Sequence, residues 1–473
     1  CLLSRSDSRY KIATIYKLPD TFELHGTLKK PNMKKLFLLL LPLFAFGQVR
    51  LPSPNDYYKP INTNPNINVP QVPTMDIFRR DEQQRTQQQN QQIINETQQR
   101  EKQREQQMRE VYTDINKSKS NINYNLPSSS NKLGTEYYRT VFDKMQILDE
   151  TNYSIKDVNF QIENAFFENK LDKAEFDKII KQSGEFIIAK MKELNYDLNS
   201  NSAKNFMLFK FFSETLQLKG LKTKHLPLKY DFEDFNGDKN WSKMFVTKLL
   251  KTGKGQCHSL PLLYLTLAEE IGATAYLALA PKHSYIKFQD ENKKWYNIEL
   301  TNGMFTAPSF ILNNGYVRSE ALQNHIYMQE LSKKELLAQL YSDLAMGYIA
   351  KFGYDDFVQN VAQKALSLYP HGIAPNMLLS NFNTFRFEYA MKKLGINPNN
   401  KTELQQIRQY PETVQWLKAT NEQYNKIDDL GYQDMPKDAY QKWLGSLKQA
   451  KNIQESETLK NQFKGVILPK TKN

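Results

Sequence analysis

Cysteine is almost missing from this chain: there are two among 473 residues, Cys1 and Cys257. With only six histidines to supplement them, thiolate metal clusters are excluded, and no metal or other cofactor is expected. A single thiol beyond Cys1 also excludes an intramolecular disulfide framework. Long apolar runs are equally scarce. The one present, LFLLLLPLFAFG at positions 36–47, is well short of the ~20 residues a helix needs to cross a bilayer. Met33-Lys34-Lys35 precedes it, so residues 33–48 read as a secretory signal peptide. Residues 1–32, ahead of that methionine, read as upstream translated sequence. The expectation is an exported protein, periplasmic or secreted from a bacterium, with no stable membrane insertion after cleavage. No basic stripe interleaved with aromatics is present either. The formal charge is +13, but residues 1–48 hold eight Lys/Arg and three Asp/Glu, which leaves a diffuse +8. Nucleic acid is therefore not an expected partner.

Residues 49–132 lack the pattern of a packed domain. Pro52 to Pro73 alternates Pro and Asn as extended chain, and Asp81 to Glu110 is rich in Gln, Glu and Arg without an apolar heptad. The stretch is expected to be a disordered linker, with partner binding as the sharper alternative. From residue 133 the periodicity turns helical. Tyr137 to Leu148, Asp157 to Asn169, Lys173 to Leu194 and Ala203 to Leu216 each repeat apolar residues at helical spacing. They define a helical subdomain over 133–240. Asp234, Asn236 and Asp238 do not make a calcium loop, because the glycine is misplaced and no glutamate follows at the required distance.

The most informative stretch is Gly253 to Thr301, within a core expected at 241–315. Gly253 and Gly255 allow a sharp turn, and Leu260, Leu263, Leu267 and Ile271 then recur as one face of an amphipathic helix that Gly272 ends. Cys257 falls at the start of that helix, where the positive end of the dipole favours thiolate. Tyr276 to Ala280, His283 to Phe288 and Trp295 to Leu300 read as strands. Alternation puts His283 on one face and Trp295, Asn297 and Glu299 on a matching face of the neighbouring strand. A thiol, an imidazole and a polar group to orient it are what nucleophilic cysteine catalysis requires. His283 is the candidate base. His258 ranks below it, since neighbours in a first helical turn point apart. Glu299 and Asn297 are both candidates to orient the imidazole, with the spacing from Trp295 favouring Glu299. Gln256 joins the Cys257 backbone N–H as an oxyanion candidate, and Trp241, Tyr230 and Trp295 are candidates to line a substrate groove.

These motifs, a Gly-X-Cys turn before an apolar helix, then PKHSYIKF and WYNIELTNG, resemble the transglutaminase-like superfamily. The resemblance covers about sixty residues. It implies Cys257 as nucleophile, His283 as general base and Glu299 at a position that Asp commonly holds. It also implies a papain-like core, a helix packed on a small antiparallel sheet, and acyl transfer on a protein or peptide substrate.

After Thr301 the chain returns to helices over 316–473: Lys334 to Lys351, Asp355 to Tyr369, Pro375 to Leu394, Thr402 to Ile427 and Met435 to Lys464. The first two, with Ala365, Leu366 and Pro370, resemble one tetratricopeptide-type hairpin without a second copy. The expected fold is α+β, a transglutaminase-like core flanked by mostly helical segments. Two functions fit it: an exported cysteine hydrolase or acyltransferase, or an exported scaffold that binds partners through its helices and Gln-rich linker.

Overall fold

The computed structural model describes residues 88, 91–92, 94–109, 123–313, 315–446, 457–458 and 460–461. The signal peptide and upstream sequence expected over 1–48, and the Pro/Asn stretch, lie outside these residues. The chain divides into two units, one of residues 19–119 and the other containing everything described from 123 onward. In the first, residues 94–109 are helical with every side chain exposed, as a sequence without an apolar face dictates.

The second unit is α+β and mainly helical. It opens with a loop over 123–132 that is anchored rather than free: Tyr124 and Ser129 are buried, and the Ser129 N–H donates to Asp355 Oδ2 at 2.9 Å. Four helices follow, α1 (Thr135–Gln146), α2 (Ile155–Phe166), α3 (Lys173–Glu193) and α4 (Asn201–Ser213). Ser154, Asp172 and Ser200 cap α2, α3 and α4 through their side-chain oxygens, which satisfies amide N–H groups that helix geometry leaves open.

Next come β1 (Lys229–Tyr230), α5 (Val246–Thr252), β2 (Lys254–Gly255) and α6 (Ser259–Glu270). No side chain of its own caps α5. Instead Glu163, buried on α2, accepts the Val246 and Thr247 N–H groups at 2.7 and 2.9 Å. The helix that leads into Cys257 is thereby fixed from another element.

The strands β3 (Tyr276–Ala280), β4 (His283–Gln289), β5 (Trp295–Glu299) and β6 (Met304–Thr306) form an antiparallel sheet in that order. Three of them were legible from alternation; β6, three residues long, was not. The open edge of β3 is closed by residues 328–331, where the Met328 and Leu331 N–H groups donate to Leu279 and Leu277 carbonyls. Covering an edge in this way prevents stray pairing.

α6 is not amphipathic. Every residue from Ser259 to Ala268 is buried, because the sheet packs on one side and α2, α3 and α4 on the other. The apolar spacing is real, but Leu262 and Leu265 lie off the expected face and are buried as well.

The remaining helices are α7 (Pro308–Leu312), α8 (Ser319–Gln323), α9 (Lys333–Phe352), α10 (Asp356–Leu368), α11 (Ile373–Leu394), α12 (Lys401–Leu404), α13 (Pro411–Asp429) and α14 (Lys437–Ser446). α9 and α10 pack as a hairpin turned at Gly353, where φ is 79°. The single helix expected over Thr402 to Ile427 is instead two, separated by a 3₁₀ segment at Gln405–Gln409. Pro411 takes the first position of α13, where its missing N–H costs nothing. Among the described residues no helix is long and apolar enough to cross a membrane.

Candidate active site

The turn that presents Cys257 is built from two glycines and a borrowed strand. Gly253 closes α5 in the left-handed region at φ 66°. At Gly255 a side chain would not fit, since a Cβ there would lie 2.8 Å from Ser259 Oγ and 3.1 Å from both Leu249 methyls. β2 pairs in parallel with β1, Tyr230 opposite Gly255, and this carries the Tyr230 ring to the thiol. Ser259 Oγ accepts the Gln256 N–H at 2.9 Å, and Ser284 Oγ donates to the Cys257 carbonyl. The second contact ties the start of β4 to the cysteine backbone.

His283 follows a two-residue turn, Pro281-Lys282, with Lys282 at φ 55°. The β4–β5 register sets Ile286 opposite Ile298 and Lys287 opposite Asn297. Glu299 is therefore the diagonal neighbour of His283 on one face. Its Oε2 accepts from His283 Nε2 at 2.6 Å, and its Oε1 accepts the Thr301 N–H at 2.8 Å. Asn297 lies opposite Lys287, four residues along β4 from His283, which is about 13 Å at the strand rise. Glu299 orients the imidazole; Asn297 does not reach it.

With Nε2 committed to Glu299, Nδ1 faces the sulfur side of the site. Tyr440, on α14, completes it. Its hydroxyl is 3.2 Å from His283 Nδ1 and donates to Cys257 Sγ at 3.4 Å. The Cys257 S–H has the Lys282 carbonyl within 3.8 Å. In the ionised pair, Nδ1–H can donate to the Tyr440 oxygen while the Tyr440 O–H donates to the thiolate, so each donor finds an acceptor.

The electrostatics follow from burial and these contacts. Burial opposes an imidazolium at His283, but the Glu299 charge and its hydrogen bonds to Cys257 and Glu299 raise it to about 9. Burial likewise pushes the Cys257 thiol up. The His283 imidazolium with its hydrogen bond, and the Tyr440 hydroxyl, pull it down. His258 turns away from this chemistry. Its Nε2 lies 3.4 Å from Asp343 Oδ2 on α9; burial lowers the histidine and raises the acid.

The other candidates sit elsewhere. Gln256 is buried, with Nε2 donating to the Glu233 carbonyl at 3.4 Å and Oε1 without a partner. Trp241 packs beside Gly237 and Gly347. Trp295 starts β5, 37% exposed, against Tyr276 and under Lys287, four residues from Glu299. Neither tryptophan lines the site. The aromatic residues that do are Tyr230, Phe235, Phe310, Tyr440 and Trp443. The Trp443 ring centroid is 5.0 Å from that of His283, and Phe235 and Phe310 pack on Tyr440 and Trp443 at 5.5 and 5.4 Å. For Tyr440 and Trp443 the sequence signal is their spacing, with Leu444, on one face of the helix read from Met435 onward. The Tyr230 hydroxyl is buried beside Cys257 and the Tyr440 hydroxyl. The outcome is a sealed centre, with Cys257 and His283 each 1% exposed. No group of three or more potential metal ligands occurs among the described residues.

No family model matches this chain, and no curated protein does. Among solved structures, menin, whose crystal structure reveals the binding site for the Mixed Lineage Leukemia (MLL) protein, aligns with 71% of this chain and 98% of its own at 11% identity. The TM-score is 0.28, and at that value the likeness carries no argument.

Proposed function

We propose that this protein is an exported cysteine hydrolase or acyltransferase that acts on amide bonds of proteins or peptides, with a papain/transglutaminase-like core. The observation that carries the reading is the 2.6 Å contact from His283 Nε2 to Glu299, which leaves Nδ1 turned to the Cys257 side. A carboxylate that holds the imidazole by one nitrogen so that the other serves the nucleophile is the arrangement covalent catalysis uses.

The Cys257 thiolate attacks the substrate carbonyl, forming a C–S bond. The oxyanion is held by the Cys257 backbone N–H and the Tyr230 hydroxyl. The C–N bond then breaks, and the proton on His283 Nδ1 passes to the leaving amine. Water gives a proton to Nδ1 as its oxygen attacks the acyl carbon, the C–S bond breaks, and the acid and the thiolate are released. An amine in place of water gives transamidation. Outside the cell, water is always available, which favours hydrolysis. The test is ionisation of Cys257, followed by ultraviolet thiolate absorbance against a Cys257→Ala blank. A thiolate well populated at neutral pH and lost in His283→Ala supports the pair. An ordinary titration near ~8.5, unaffected by the mutation, refutes it.

A second reading has one observation in its favour. The thiol is buried, as an inert cysteine in an exported binding or scaffold protein would be. On that reading the helices over 316–473 and the Gln-rich segment would bind protein partners, and the same titration separates the two.

A further inference from the structure

The atoms that would react are covered from one direction by one element, α14. Tyr440 sits 3.4 Å from Cys257 Sγ and 3.2 Å from His283 Nδ1, and the Trp443 ring stands against the imidazole. An acyl carbon must come within about 3–3.5 Å of the attacking sulfur. The Tyr440 hydroxyl occupies the approach at that range.

The cover is also built to be removable. Over Lys437–Ser446, α14 has one buried face and no strand pairing to hold it. It holds on by Tyr440, Trp443 and Leu444, spaced i, i+3, i+4 on one face. Its opposite face, with Asp438, Gln441 and Lys442, is exposed. The ion pair from Lys437 to Asp238 is solvent-exposed at both ends and adds little. Trp443 Nε1 is buried without an acceptor, so the fit is imperfect on the polar count. The helix follows the loop 431–436 and lies outside the sheet and α6, so its withdrawal removes the Tyr440 contacts to Cys257 and His283 but leaves the His283–Glu299, Glu299–Thr301 and Ser284–Cys257 hydrogen bonds in place.

We propose that α14 is a built-in blocker of the Cys257 site. With α14 seated, the enzyme is latent; its displacement opens a groove walled by Phe235 and Phe310. That groove now holds Tyr440 and Trp443, so it accepts peptides bearing aromatic side chains. The inference rests on the catalytic reading above.

The test uses the full chain with a protease recognition sequence inserted after Gln433, an exposed loop position. Alkylation of Cys257 by iodoacetamide and hydrolysis of fluorogenic peptides are measured before and after cutting. The intact chain should alkylate slowly. Cutting and removal of the α14 fragment by gel filtration should raise the rate at least about 100-fold, as for a group reached only by local opening. Peptides with Phe, Tyr or Trp should then be turned over in preference to those with Gly or Asp. If the cut fragment stays bound, the uncut double variant Trp443→Ala/Leu444→Ser decides instead: it should alkylate faster than wild type, whereas Lys442→Ala should not. The proposal is overturned if the intact chain already reacts like free cysteine, or if removing α14 leaves the rate unchanged. Fast alkylation after cutting that is indifferent to His283→Ala, with no peptide hydrolysed, refutes the catalytic reading. Latency falls with it, and the cover is then simple burial.

Discussion

The charge of Glu299 should decide whether Cys257 is ionised. Glu299→Gln keeps the shape of the side chain and an acceptor for the Thr301 N–H, which now donates to Oε1 at 2.8 Å, but removes the charge 2.6 Å from His283 Nε2. Burial depresses His283, and Glu299 is the largest influence raising it, to about 9 against an ordinary 6.5. At 1.36 kcal/mol per unit, that difference corresponds to about 3 kcal/mol of imidazolium stabilisation. Without the carboxylate, burial acts unopposed by it and the histidine should titrate below 6.5. The thiol then loses its cationic partner and rises to or above the ordinary ~8.5. Thiolate absorbance and the histidine ring-proton shifts in NMR spectra, each followed against pH, measure both steps. The sign for stability follows from the raised histidine. Its contribution is fully present below 6.5 and is lost as pH rises through about 9. The Cys257 thiol, lowered in the same pair, contributes with the opposite sign, so the loss is read in a Cys257→Ala background, where urea resistance should fall across that window and adding Glu299→Gln should abolish the fall. An unchanged thiolate fraction at neutral pH in Glu299→Gln would refute the reasoning.

Three further outcomes check the scaffold. Gly255→Ala forces a Cβ to within 2.8 Å of Ser259 Oγ and should cost about 1–3 kcal/mol in urea unfolding, with Cys257 ionisation disturbed as the turn shifts. Leu263→Ala hollows out α6 at a buried position and should cost about 2–5 kcal/mol by the same measurement, with the unfolding slope unchanged. Trp295→Ala, by contrast, removes a half-exposed ring remote from the triad. It should leave the thiolate titration unmoved, and a shift in that curve would contradict the placement of Trp295 away from the groove.

What the sequence determined by itself was local. The turn at Gly253–Gly255, the apolar run of α6 and the alternation from Tyr276 to Glu299 each fix backbone shape within a few residues. From them Cys257, His283 and Glu299 could be named together. Helix positions through 135–213 and 333–394 were legible for the same reason, since periodicity is a property of neighbours. Even the choice of Glu299 over Asn297 was half available, because alternation put both on one face; only the register of Lys287 against Asn297 moved one out of reach. Tertiary structure decided what no window of sequence contains. It buried α6 on all sides, borrowed Glu163 to cap α5, and sent His258 to Asp343 rather than to the thiol. It also left Trp241 and Trp295 away from the groove. Above all it set Tyr440, 183 residues beyond Cys257, over the sulfur. Nothing in the local pattern of α14 says which surface its apolar face will cover, because that is settled by complementary shape between elements far apart in the chain.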